Sequence, residues 1–230
     1  MISIAENLKK TGERIRHAAD AAGRDPDAIR LLAVSKKQPV ERIREAAKQG
    51  QIAFGENYVQ EALEKMDALS DHPELEWHFI GPIQSNKTRD IAAHFDWVHG
   101  VDRLKIARRL SEQRSDEHPP LNLCIQVNLD NEATKSGVMP EAVTELARAI
   151  DTLPNCRLRG LMAIPDPTNP PEVQRQRFNQ LARLLEEMSA SVDNNAPDTL
   201  SMGMSADLED AIAEGATIVR VGTAIFGARE

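Results

Sequence analysis

The chain has 230 residues, 28 basic and 36 acidic, with a formal net charge of −8 at pH 7. That balance, spread without a long basic block, argues against nucleic acid or an anionic membrane as a main partner, and the length suits one α/β barrel of the usual ~250 residues. Apolar runs stay short of the ~18 residues of a membrane span, and the start Met1-Ile2-Ser3-Ile4 lacks the apolar core of a signal peptide, so a cytoplasmic protein is expected. Cys124 and Cys156 lie in or beside apolar stretches at no metal or redox spacing and are expected to be buried thiols. The histidines show no HxxxH or Cys/His pattern, so no metal site is expected.

A helix is predicted from Ser3 to about Ala22. Ser3 and Glu6 have capping-box spacing, Ile4, Leu8, Ile15 and Ala19 share one face, and Gly23 stops it. β-rich runs then follow at 31–36, 52–55, 77–81, 97–101, 123–129, 158–164, 199–202 and 218–222. Amphipathic helical patterns fall between them at 40–48, 59–69, 85–94, 103–114, 141–152, 172–191 and 206–213. Pro39 and Pro140 suit first helical positions, and Gly50 and Gly215 suit the residue past a helix end. This alternation demands parallel strands joined by helical crossovers, and runs apolar on both faces fit strands between a barrel interior and a helix layer. The expectation is a single-domain (β/α)₈ TIM barrel over residues 1–230 with an extra N-terminal helix. The tail after the eighth strand is too short for an outer helix, so the first helix either takes that place or closes the lower mouth.

Lys36 ends the first apolar run, at the strand terminus where such barrels do chemistry, and its amine could form a Schiff base with an aldehyde. Period-two alternation places it with Leu32 and Val34; the alternative is a strand-end lysine reaching solvent, and Lys37 should point the other way. Thr199-Leu200-Ser201-Met202-Gly203-Met204-Ser205 and Arg220-Val221-Gly222-Thr223 mark the exits of strands seven and eight, where barrels bind phosphate. Ser205 is either a phosphate ligand there or the N-cap of a helix from Ala206. Arg220 falls on the interior face with Ile218 and Gly222 and needs an acceptor, either the ring nitrogen of a pyridoxal cofactor or a carboxylate on a neighbouring strand. Asn57 follows the second strand as a possible ligand or an N-cap. His78, Gln84, Asn86 and Lys87 surround the third strand's exit, and Lys87 or Lys135 could hold a second anion.

These runs, together with Phe54-Gly55-Glu56-Asn57-Tyr58-Val59-Gln60-Glu61, Trp77-His78-Phe79-Ile80-Gly81-Pro82-Ile83-Gln84-Ser85-Asn86-Lys87, Lys135-Ser136-Gly137 and Arg159-Gly160-Leu161-Met162, closely resemble the YggS/PROSC family of pyridoxal-phosphate homeostasis proteins. The resemblance extends through Arg220-Val221-Gly222-Thr223-Ala224-Ile225-Phe226-Gly227. It implies a barrel like the N-terminal domain of alanine racemase, with pyridoxal 5′-phosphate held as an aldimine on Lys36. Ser205 and the backbone of Gly222 and Thr223 would hold the phosphate, Arg220 would face the ring nitrogen, and Met204 and Asn57 would line the pocket.

A carrier that stores or delivers the cofactor, with amino acids and cofactor-dependent apoenzymes as partners, is therefore expected, acting as a monomer and without catalytic residues. A racemase would share the barrel but needs a second acid or base opposite the lysine, in alanine racemases a tyrosine from a separate domain. The sequence stops at Glu230 and holds one tyrosine, Tyr58, early in a helix. A Schiff-base aldolase on a phosphorylated substrate is the third reading, disfavoured by Arg220.

Overall fold

Ser3 Oγ accepts from the Glu6 N–H at 3.2 Å and the Glu6 carboxylate accepts from the Ser3 N–H at 3.2 Å, so the first helix starts where its capping box puts it. In the computed structural model, which describes residues 3–130, 136–194 and 196–227, that helix is α1 (Ile4–Ala21). The chain then alternates β1 (Arg30–Val34), α2 (Val40–Lys48), β2 (Ala53–Glu56), α3 (Val59–Ala68), β3 (Glu76–Phe79), α4 (Thr88–His94), β4 (Trp97–Val101) and α5 (Leu104–Gln113). It continues through β5 (Leu121–Val127), α6 (Val143–Asp151), β6 (Cys156–Ala163), α7 (Pro171–Ser189), β7 (Thr199–Ser201), α8 (Leu208–Ala213), β8 (Ile218–Val221) and α9 (Thr223–Phe226). The strands pair in sequence order, all parallel, and β8 closes on β1.

The expected strands are present, but several ends shift. The predicted 31–36 strand stops at Val34, because the Ser35 carbonyl turns away from the ladder to accept from Gln38 N. Pro39 is the cap of α2 and not its first residue. The predicted helices at 85–94 and 141–152 open with 3₁₀ turns, Ser85–Lys87 and Pro140–Ala142.

Consecutive residues of β1 fall into two cores, as alternation requires. Ala33 joins the layer between strands and helices, where Phe54, Phe79, Phe95, Phe178 and Phe226 are fully enclosed. Each such ring stabilises the fold by about 1.5–3 kcal/mol relative to exposure. Leu32 joins Ala53, Trp97, Cys124, Met162 and Ile218 inside the barrel. Cys124 and Cys156 are free, and burial pushes both thiols up to about 12.

α1 packs against α2, α8 and α9. Asn7 donates to the Ile225 carbonyl at 2.9 Å, and Arg24 donates to the carbonyls of Ile212 and Ala216. The N-terminal helix thus takes the outer position that the four-residue α9 is too short to fill, and does not close the lower mouth. Among the described residues no helix is long and apolar enough to cross a membrane.

Candidate functional site

Lys36 is the first central residue of a turn joining β1 to α2. Gln38 N donates to Ser35 O at 3.0 Å, and Lys37 takes a left-handed φ of +59°. Lys36 is half-buried, while Lys37 is exposed with its ammonium 6.0 Å from the centre of the Tyr58 ring, pointing outward as expected. Strand alternation does not govern Lys36, since the ladder ends two residues earlier.

A buried cluster fixes this turn. Ser35 is fully enclosed, its N–H donates to Gly55 O at 3.0 Å and its hydroxyl donates to Glu56 Oε1 at 2.7 Å. Lys65, 4% exposed on α3, donates to Ser35 O at 2.8 Å, to Glu56 Oε1 at 2.7 Å and to Glu61 Oε1 at 2.6 Å. Burial raises the Glu56 pKa, opposed by the Lys65 charge and by the bonds from Lys65 and Ser35. Sequence reading missed Lys65, although Glu61 and Lys65 stand at ion-pair spacing on one helix; what was hidden is that β2 supplies a second, enclosed carboxylate.

The β8 exit lies beside this turn. Leu32 pairs with Arg220 and Ala33 with Val221, and a Cβ on Gly222 would sit 3.2 Å from Val34 O, tighter than an ordinary contact. Arg220 is buried inside the barrel as alternation implied, but its protein acceptors are neither carboxylate nor solvent. It donates to Ser201 O at 2.5 Å, Ser201 Oγ at 2.8 Å and Ala163 O at 2.9 Å. Burial lowers its pKa to about 10, so it stays protonated at neutral pH and keeps further N–H groups for a ligand.

Met204 and Ser205 follow β7 and are half-buried. Gly203 O accepts from Arg220 N at 2.9 Å, tying the two exits together, and Gly203 takes φ +89°, where an added Cβ would lie 2.5 Å from Ala211 Cβ. The alternative of Ser205 as an N-cap is not realised: Asp207 holds that position before α8 without a side-chain cap bond, and its Oδ1 accepts from Met204 N at 2.6 Å. The Ser205 hydroxyl has no hydrogen-bond partner among the described residues, and its carbonyl accepts from Arg14 at 3.0 Å. Thr223 is exposed at the start of α9, with Gly222 as its cap.

Asn57 leaves β2 across the mouth. Tyr58, not Asn57, precedes α3 as its cap, and Asn57 Oδ1 is buried with no partner. Gly81 allows this placement: a Cβ there would meet Asn57 O at 2.4 Å. Beside Asn57 a hollow of about 220 Å³ is walled by Ile80, Pro82, Gln126, Asn128, Ser136 and Ile164. The residues expected from sequence therefore gather on the carboxyl ends of β1, β2, β7 and β8. His78 does not. It is fully buried within β3, facing the barrel interior, and is absent from the strand's exit. Lys87 lies half-buried in a 3₁₀ turn, and Lys135 lies outside the described residues.

A family model described as the N-terminal domain of alanine racemase matches residues 7–230. The whole chain is 60% identical to a pyridoxal phosphate homeostasis protein of Pseudomonas aeruginosa, covering 97% of it, and 51% identical to one of Escherichia coli K12, covering 98%. The chain belongs to the pyridoxal phosphate homeostasis protein family. Among solved structures, PipY of Synechococcus elongatus with PLP bound superposes at a TM-score of 0.84 with 36% identity, over 98% of this chain and 100% of that one. An alanine racemase of Corynebacterium glutamicum superposes at 0.67 with 17% identity, over 96% of this chain and 61% of that one, a likeness of barrel alone. Family and barrel are thus those expected from the sequence blocks.

Proposed function

We propose that residues 1–230 form one unit that holds pyridoxal 5′-phosphate covalently through Lys36 and stores or delivers it in the cytoplasm, acting as a monomer on amino acids and cofactor-dependent apoenzymes. The observation that carries this reading is the placement of Lys36 just past the carboxyl end of β1, next to the strand β8 that holds a buried, protonated Arg220, in a chain 36% identical to a protein with PLP bound. The residues fit the group. A buried Asn57 amide end without a partner is what a polar ring substituent would satisfy, whichever way the amide is turned.

When bound, the cofactor supplies an aldehyde for reversible amine exchange and a ring whose electron demand depends on the protonation of its nitrogen. Lys36 provides the amine. Arg220 faces the ring nitrogen as a donor only, and since it keeps its own proton it leaves that nitrogen unprotonated. Ser205 and the N–H groups of Gly222 and Thr223 hold the phosphate, and Met204 and Asn57 bound the pocket. Ser205→Ala should weaken cofactor retention roughly 10–150-fold, the worth of one hydrogen bond to a charged acceptor, while leaving the melting temperature of the cofactor-free protein in place, because the Ser205 hydroxyl bonds nothing among the described residues and α8 starts only at Leu208. Equilibrium dialysis with thermal denaturation checks this; a lower melting temperature with unchanged affinity would count against phosphate binding.

The carrier reading is set against a racemase by Arg220 and by Tyr58. Tyr58 is 49% exposed and stacked toward Lys37, outside the buried mouth, so it is no acid for the face opposite Lys36. The test is to incubate the cofactor-loaded protein with L-alanine in heavy water and follow α-deuterium and D-alanine. Amine exchange without appreciable turnover is expected. Racemisation above about 1 s⁻¹, lost in Lys36→Ala, would move the protein among the racemases.

A further inference from the structure

A line of polar side chains crosses the inside of the barrel from the amino ends of the strands to Arg220. Arg30 pairs with Glu76, the first residues of β1 and β3. Glu76 Oε1 lies 2.6 Å from His78 Nε2, His78 Nδ1 lies 2.9 Å from His99 Nε2, and His99 Nδ1 lies 2.8 Å from Ser201 Oγ. Ser201 Oγ in turn accepts from Arg220 Nη1 at 2.8 Å. His78, His99 and Ser201 are wholly enclosed, each with 0% exposure. Trp97 stacks on His78 with an interplanar angle of 6°, and the Arg159 guanidinium lies 4.6 Å from the centre of its ring on β4, so the line is walled off from below.

The two ends set the direction of every proton between them. Arg220 can only donate. Glu76 can only accept while ionised, and although its own burial opposes this, the bond from His78 and the charges of Arg30 and Arg159 lower its pKa. A neutral imidazole has one donor and one acceptor nitrogen. The Ser201 hydroxyl therefore donates to His99 Nδ1, His99 Nε2–H donates to His78 Nδ1, and His78 Nε2–H donates to Glu76. The opposite arrangement would require a proton on Glu76. Burial depresses the pKa of both rings, opposed at His78 by Glu76 and reinforced at His99 by the Arg220 charge. Among the described residues, Glu76 and His99 lie within hydrogen-bond distance of His78, and His78 and Ser201 within that distance of His99.

With its proton committed to His99, Ser201 presents lone pairs to Arg220. Together with the carbonyls of Ser201 and Ala163 it pins the guanidinium in one orientation. We propose that Ser201, His99 and His78 are positioning residues that lock Arg220 against the cofactor ring by a one-way hydrogen-bonded line anchored on the Arg30–Glu76 pair at the opposite mouth. This rests on the reading that Arg220 meets the ring nitrogen. It adds that the hold on the ring is set from the far end of the barrel. A proton gained by His78 would make both its nitrogens donors, turn His99 round, and oblige Ser201 Oγ to accept from His99 and Arg220 at once.

Three measurements test it. In cofactor-free protein, histidine ¹⁵N–¹H correlation spectra should show His78 and His99 as neutral Nε2–H tautomers; a His99 protonated on Nδ1 means the line runs the other way and overturns the proposal. In loaded protein, His99→Phe should raise the dissociation constant for pyridoxal 5′-phosphate about tenfold and shift the visible absorbance maximum. His99→Gln, whose amide can accept from Ser201 and donate to His78, should restore both. If His99→Phe does not fold, Ser201→Ala is read in its place and should give the same loss and shift. Wild-type affinity and spectrum in a folded His99→Phe or Ser201→Ala refute the positioning role. Arg220→Gln separates the two readings: if it too leaves the spectrum unchanged, the ring assignment of Arg220 has failed, and if it alone shifts the spectrum, only the positioning role has.

Discussion

Lys36→Ala is expected to give a folded, colourless protein that no longer takes a borohydride-stable pyridoxyl group. The shape of the turn is held by its neighbours, through the bond from Gln38 N to Ser35 O and the left-handed Lys37, so the variant should still fold. The covalent link has no substitute in that variant, since Lys37 points outward over Tyr58 and Lys65 has its three donors committed to Ser35, Glu56 and Glu61. In the unaltered protein, reduction and peptide mapping should place the pyridoxyl mass on the peptide containing Lys36. Finding it mainly on Lys87 or Lys135 would give Lys36 another role.

The mouth residues were legible in the sequence because barrels advertise their exits: an apolar run ends, a glycine or small polar residue follows, and a helix begins. That logic located Lys36, Asn57, Ser205, Arg220 and Gly222 on the correct strand ends. Its errors were local. The alternation argument overran β1 by two residues, and Ser205 and Asn57 were each weighed as N-caps that Asp207 and Tyr58 fill. The inner line was out of reach for a different reason. His78, His99 and Ser201 stand on three strands, and whether histidines at such separations touch depends on strand order and stagger, which no single strand's pattern encodes. A signal existed: in Trp97-Val98-His99-Gly100-Val101 the histidine shares a face with Trp97, and a polar ring on the inner face of a barrel strand demands a partner. Lys65 was concealed similarly, since its surface-type spacing to Glu61 gave no hint of Glu56 beneath it.

Lys65→Met should be the most destabilising single change in the site, by about 3–5 kcal/mol near neutral pH, because it strips the cation from a fully enclosed carboxylate. Methionine keeps the stem and its packing, so the loss isolates the charge. Glu56 is left with the Ser35 hydroxyl alone, and its second oxygen already lacks a partner. Burial raises the Glu56 pKa even with Lys65 in place, and without Lys65 the folded-state value rises further above the ~4.3 of the unfolded chain. A carboxyl shifted in that direction destabilises the fold above its unfolded pKa and ceases to do so below it, so the deficit should shrink as pH falls from the raised folded value towards ~4.3. Adding Glu56→Gln should recover much of the loss at neutral pH, since a neutral amide replaces the stranded charge. Urea midpoints for the single and double variants at pH 7 and pH 5 check both statements. A Lys65→Met deficit below about 1 kcal/mol, or one independent of pH, would show that the pair contributes little. If the deficit appears as expected, cofactor affinity should fall with it, because the same ammonium holds the Ser35 carbonyl and so the turn that presents Lys36.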